Sequence, residues 1–162
     1  CEQAGVSLAN LNCPGQIVLS GDADKMDAAC EAAKAAGAKR AIPLPVAGAY
    51  HSPLMQPAQA GLAEALAKVG LQSPRVPVFS NVTGQAHGGA DTIAATMVDQ
   101  VTSSVRWEAC IRAIIADGVT RFIELGPGTA LTGFMRRIDR GLEVLNVGDK
   151  NSLAKTVEVL NA

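Results

Sequence analysis

The sequence predicts an α/β protein, and three observations carry that reading. Short runs rich in Val, Ile and Leu alternate with longer Ala-rich stretches of helical period. Gly, Pro and Asn punctuate the junctions. After the first hairpin, the apolar runs are separated by helical stretches, which favours a parallel sheet covered on both faces. A chain of 162 residues suits one domain or two small subdomains.

Each element follows from its local chemistry. Residues Val6 to Leu11 alternate enough for a strand, Pro14-Gly15 marks a turn, and Gln16 to Ser20 reads as the returning strand of a hairpin. Residues Ala23 to Ala36 form an Ala-rich helix, with Asp22 placed to cap it and Gly37 to stop it. Residues Arg40 to Val46 are a third strand, which Pro43 and Pro45 confine to an edge. A helix begins with Ser52 as cap and Pro53 at its first position, and runs to about Val69 with Leu62, Leu66 and Val69 on one face. Residues Val76 to Ser80 read as a short buried strand, and residues 85–90 as a loop. Helices follow at about 91–102 and 106–117, the second ended by Gly118. Then come a strand at Arg121 to Leu125, a helix at Ala130 to Asp139, a strand at Glu143 to Val147 and a helix at Ser152 to Leu160. The opening order of strand, strand, helix, strand matches the last four elements of a ferredoxin-like β-α-β-β-α-β unit. It is therefore expected to be the C-terminal portion of something longer.

Composition narrows the function. Basic and acidic side chains number 14 and 15, and no run of like charge occurs, which argues against nucleic acid and charged membrane surfaces as partners. No apolar run reaches the ~18–20 residues that span a bilayer, and no signal peptide is visible. Cys1, Cys13, Cys30 and Cys110 show no C-x-x-C spacing and have only two histidines to join them, so no metal site is expected. They read as reduced, mostly buried thiols of a cytoplasmic protein.

Loops carry the candidate chemistry. Residues Val46-Ala47-Gly48-Ala49-Tyr50-His51-Ser52-Pro53-Leu54-Met55 place a histidine in a Gly- and Pro-containing loop ahead of a helix, where an imidazole can move protons near neutral pH. Asn10 and Asn12, beside Cys13-Pro14-Gly15-Gln16, either cap the backbone or form a polar pocket wall. Gly126-Pro127-Gly128 reads as a tight turn, with a phosphate contact as the alternative. His87 reads as a solvated loop residue.

Five segments, in order, resemble one family. They are Ala9 to Gln16 with Ser20-Gly21; Gly48 to Met55; Val78-Phe79-Ser80-Asn81-Val82-Thr83-Gly84; Gln100 with Val105-Arg106-Trp107; and Glu124-Leu125-Gly126-Pro127-Gly128 with Leu131-Thr132-Gly133. Together they are similar to the C-terminal half of the malonyl-CoA:acyl-carrier-protein transacylases of bacterial fatty-acid synthesis, relatives of polyketide acyltransferase domains. The resemblance implies that residues 1–47 are the C-terminal portion of a ferredoxin-like small subdomain. Residues 48–162 would be the C-terminal part of an α/β-hydrolase-like, mostly parallel large subdomain. It implies covalent transfer through a serine in a G-H-S-x-G elbow, with His51 as general base. The backbone carbonyl of Gln100 would orient the imidazole in place of a triad carboxylate. Tyr50 would contact substrate, its ring excluding a methyl group from the α-carbon, or else pack under its loop; Asn12 would line the pocket. Malonyl-CoA enters as substrate with no permanently bound cofactor, and acyl carrier protein is the partner.

The departures matter as much. These residues contain no G-H-S-x-G, and the family's carboxylate-binding arginine and oxyanion-hole residues lie upstream of the matched region. His51 is half of a dyad, and the missing N-terminal half of the same protein is an implied partner. Two other readings stay open: a non-catalytic carrier-docking or regulatory relative of the fold, and a thiol enzyme pairing Cys13 with His51.

Overall fold

A computed structural model describes residue 1 and residues 4–162. Strands β1 (Ser7–Cys13) and β2 (Gln16–Ser20) pair as a hairpin, and Gly15 in their turn takes φ +74°, a left-handed conformation that favours glycine. Helices α1 (Met26–Ala35), α2 (Gln56–Ala67), α3 (Ala90–Gln100) and α4 (Trp107–Ala116) follow. Then come β3 (Arg121–Leu125), α5 (Ala130–Ile138), β4 (Glu143–Val147) and α6 (Lys150–Asn161). Strands β3 and β4 are parallel in the register Arg121↔Glu143 to Leu125↔Val147, as expected for strands joined by a helix.

The chain forms two compact units, Cys1–Asn12 with Gln16–Cys110, and Cys13–Gly15 with Ile111–Ala162. In the first, Val6, Ala9, Ala29 and Cys110 are buried. Gly21 lets the chain pass close to Val6, since a Cβ there would lie 2.9 Å from its side chain. In the second, Cys13, Ile111, Met135 and Ile138 are buried.

Several expected features differ. Residues 40–46 form no strand, and Ile42, Leu44 and Val46 are exposed. Pro43 and Pro45 offer no backbone donor, and among the described residues no strand lies alongside to supply one. Residues 76–80 likewise make only an isolated antiparallel bridge, Phe79 to Ala86. The helix after His51 begins with a 3-10 turn, Pro53–Met55, and ends at Ala67, leaving Val69 exposed. Ser52 does not cap it with its side chain; the hydroxyl donates to the carbonyl of Ala49 at 2.6 Å. Asp22 also makes no cap bond and pairs with Lys25 at 3.0 Å. Helix α6 starts two residues early because Asp149 and Ser152 form a capping box, with Ser152 N donating to Asp149 Oδ1 at 2.8 Å. The stops at Gly37 and Gly118 stand at φ +95° and +89°.

Candidate active site

His51 is the one described non-glycine residue with positive φ, at +58°. That conformation costs an L-residue roughly 1–2 kcal/mol, and such strain concentrates where a side chain must be aimed. The loop is held by buried Ser52, whose hydroxyl bonds back to Ala49.

The half-buried ring faces the last turn of α3. His51 Nδ1 lies 3.0 Å from the backbone oxygen of Gln100, inside ordinary hydrogen-bond range. Gln100 Nε2 also approaches Nδ1, at 3.4 Å, so two tautomers compete. The shorter contact decides between them. A carbonyl can only accept, and Gln100 Nε2 already donates to the carbonyl of Ser103 at 3.0 Å. In the neutral ring Nδ1 therefore carries the proton, and Nε2 has the lone pair that a general base needs.

The site rests on chain pairing from afar. Leu11 N donates to Val105 O and Val105 N to Ala9 O, both at 2.8 Å, and Asn10 and Val105 form a parallel bridge. The Ser104 hydroxyl donates to Leu8 O. This brings residues 102–106 beside His51 along an open cleft of about 500 Å³ lined by His51, Thr102, Ser103, Ser104, Arg106 and Val82, among others. Arg106, the one Lys, Arg, Asp or Glu on its wall among the described residues, donates to Thr83 O at 3.1 Å. The turn carrying Thr83 needs Gly84, at φ +72°, whose added Cβ would meet Ala109 at 2.8 Å.

His51 and Gln100 are thus brought together, while the two candidate substrate residues lie off the cleft wall. Tyr50 is 52% exposed with its ring against Gly48, and Asn12 is buried. His87 departs from the expected solvated residue: it is half-buried, with Nδ1 3.1 Å from Thr96 Oγ1. The thiols also differ from expectation in part. Cys13 and Cys110 are buried but Cys1 is exposed. Cys110 donates to Ser80 O at 3.3 Å, and burial pushes its thiol up, away from thiolate reactivity. Cys13, at 2% exposure, has little access for thiol chemistry. Among the described residues no group of three or more acidic, His or Cys side chains is placed to hold a metal ion, and no helix is long and apolar enough to cross a membrane.

Sequence reading missed Glu124. Its carboxylate accepts from Leu131 N at 3.0 Å, Thr132 N at 2.9 Å and Thr132 Oγ1 at 2.6 Å, filling the N-terminus of α5. Burial pushes this carboxyl up, but hydrogen bonds from the Thr132 hydroxyl, the Thr132 and Leu131 amides and Asn146 outweigh it and hold the group below its ordinary range. Asn146 Nδ2 also ties Gly128 O at 2.9 Å. Gly126 and Gly128 take φ +138° and +87°. The Gly-Pro-Gly segment is a tight turn, and two amides of the helix turn that follows, those of Leu131 and Thr132, are taken by Glu124. The signal in the sequence was an acidic residue just ahead of a Gly-rich strand-to-helix turn.

The acyl transferase domain model matches residues 2–155. The chain belongs to the acyl transferase domain family. Among similar family members, the malonyl CoA-acyl carrier protein transacylase of Bacillus subtilis (strain 168) is 44% identical over 155 residues, 96% of this chain and 49% of that protein. The crystal structure of malonyl CoA-acyl carrier protein transacylase from Clostridium perfringens Atcc 13124 is 40% identical with a TM-score of 0.94, over 99% of this chain and 52% of that one. A type II PKS acyl-carrier protein in complex with its malonyl-transacylase gives 39% identity and a TM-score of 0.92, over 95% and 50%. The chain spans about half the length of the curated relatives it matches.

Proposed function

We propose that this chain is part of an acyltransferase moving a malonyl group from coenzyme A to the phosphopantetheine thiol of an acyl carrier protein. The observation that carries the reading is the His51 Nδ1 to Gln100 carbonyl contact of 3.0 Å, which leaves Nε2 as the basic nitrogen. The serine nucleophile would come from the N-terminal half of the same protein. Nε2 takes the serine proton as the serine oxygen attacks the thioester carbonyl. The carbon–sulfur bond then breaks, and the coenzyme A thiolate leaves with the proton from the imidazolium. In the second half-reaction the carrier thiol gives its proton to Nε2, and its sulfur attacks the serine ester. The serine oxygen departs and recovers that proton. No electron donor or metal enters this balance.

Tyr50 and Asn12 are proposed to contact substrate once the N-terminal half completes the pocket. Residues 1–47 and 48–162 are proposed to belong to the small and large subdomains of the complete protein, which would act in the cytoplasm. The exposure of the apolar residues Ile42, Leu44 and Val46, in a segment exposed throughout 42–47, supports a stretch that the other half would cover.

The test combines this chain with an N-terminal half carrying G-H-S-x-G. Labelled malonyl should pass from malonyl-CoA to carrier protein, and the chain alone should transfer none. Co-folded halves without transfer would favour a non-catalytic relative instead.

A further inference from the structure

Helix α3 ends in a way that frees two carbonyls. Thr102 N and Ser103 N both donate to Asp99 O, at 3.2 and 3.0 Å. Val98 O thereby loses its usual i+4 donor and keeps only a long bond from Val101 N at 3.3 Å. Its place is filled from the next helix. Gln59 Nε2, in the first turn of α2, donates to Val98 O at 3.1 Å and to Thr102 Oγ1 at 3.2 Å. Gln100 O, two residues beyond Val98 on the same terminal turn, is the oxygen that holds His51.

His51 and Gln59 therefore grip one turn of α3 from the same stretch of chain, eight residues apart. Gln59 is half-buried and both its amide hydrogens have acceptors on that turn. Without it, Val98 O and Thr102 Oγ1 lose their side-chain donor, and the turn can rotate to reach water. That rotation moves the Gln100 carbonyl and loosens its hold on Nδ1.

We infer that Gln59 is a positioning residue for the His51 imidazole, acting through the last turn of α3. The inference rests on the reading of His51 as general base, but its tautomer can be measured whether or not that reading holds. The complete protein is labelled with ¹⁵N-histidine, and the His51 signals are assigned by their loss in His51→Gln. Gln59→Met keeps side-chain length and helix propensity while removing the donor. It should shift the His51 nitrogens away from the Nδ1-protonated pattern and lower kcat for malonyl transfer by about tenfold to a hundredfold. KM for malonyl-CoA should stay within about twofold, since no substrate contact is removed.

Gln59→Lys keeps a donor of similar reach and should retain both the tautomer and most of kcat. A folded Met variant with the wild-type tautomer and kcat would overturn the inference, as would a folded Lys variant that loses both. Unfolding of both variants would make Gln59 a structural residue and overturn it as well. If the unsubstituted complete protein transfers no malonyl, the proposed function fails, while the tautomer still decides the role of Gln59.

Discussion

Two of the loops that lead into helices use their backbone in opposite ways. At residues 48–55 the left-handed position is filled by a histidine; at residues 126–128 it is filled by glycines. The first loop ends with the Nδ1 side of an imidazole bonded and the other nitrogen left basic. The second ends with the helix N-terminus occupied by the Glu124 carboxylate and a carbonyl tied by Asn146. Strain carried by a reactive side chain points to chemistry. The same backbone freedom supplied by glycine, beside a helix N-terminus whose Leu131 and Thr132 amides are held by Glu124, points to architecture. A strand-to-helix turn rich in glycine is therefore not an anion site until its amides are shown to be vacant.

The largest test of this contrast removes the proposed base. In the complete protein, His51→Ala should lower malonyl transfer ~10²–10⁴-fold while circular dichroism and melting stay close to wild type. Near-normal transfer by a folded variant would break the contrast at its chemical end.

Glu124→Ala addresses the other loop. It should cost ~0.5–2 kcal/mol, as the loss of a helix cap does, and should leave KM unchanged. The pH dependence has a definite sign. A carboxyl held low in the folded state adds stability above the ordinary carboxylate range, and that stability is lost as pH falls through the folded value. Acid titration of melting temperature below about pH 4.5 should therefore be flatter in the variant than in wild type. An equal slope would show that the hydrogen bonds to Glu124 do not bind its charged form preferentially.

Backbone strain gives a smaller effect. His51→Gly and His51→Ala both lack the ring, so their difference isolates the left-handed conformation. The glycine variant should be the more stable by ~1 kcal/mol in denaturant melts. Equal stability would mean that the loop relaxes once the imidazole is gone. Gln100→Ala should be the mildest, keeping transfer within about tenfold, because it spares the carbonyl and loses the bond to Ser103 and the long 3.4 Å approach to Nδ1. A loss as large as that of His51→Ala would mean that the side chain, not the backbone oxygen, holds the ring.

Legibility in the sequence followed locality. The hairpin return and both strands of the parallel pair stand where alternation and β-branched residues placed them, because each has its partner within the chain. The segments at 40–46 and 76–80 carry the same apolar character without a ladder, since character alone cannot supply hydrogen bonds. The histidine loop was legible through its Gly and Pro setting and its family likeness. The hydroxyl of Ser52 was not, because a serine before a helix can accept from the helix amides or donate to a nearby carbonyl, and here it donates to Ala49 O. Gln59 and Glu124 were missed for one reason: both satisfy backbone groups of elements other than their own, and no periodicity records that.

The bridge between Asn10 and Val105 has a kinetic consequence. Ser104 and Leu8, which meet there, stand 96 positions apart, and the histidine and its acceptor stand 49 apart. Closing loops of that length is slow compared with forming the helices between them. The order of events follows: α2 and α3 can form early, yet the imidazole has no fixed tautomer until the two distant segments have zipped together. Histidine hydrogen-exchange labelling during refolding should find His51 acquiring protection in the final phase, after the helical amides.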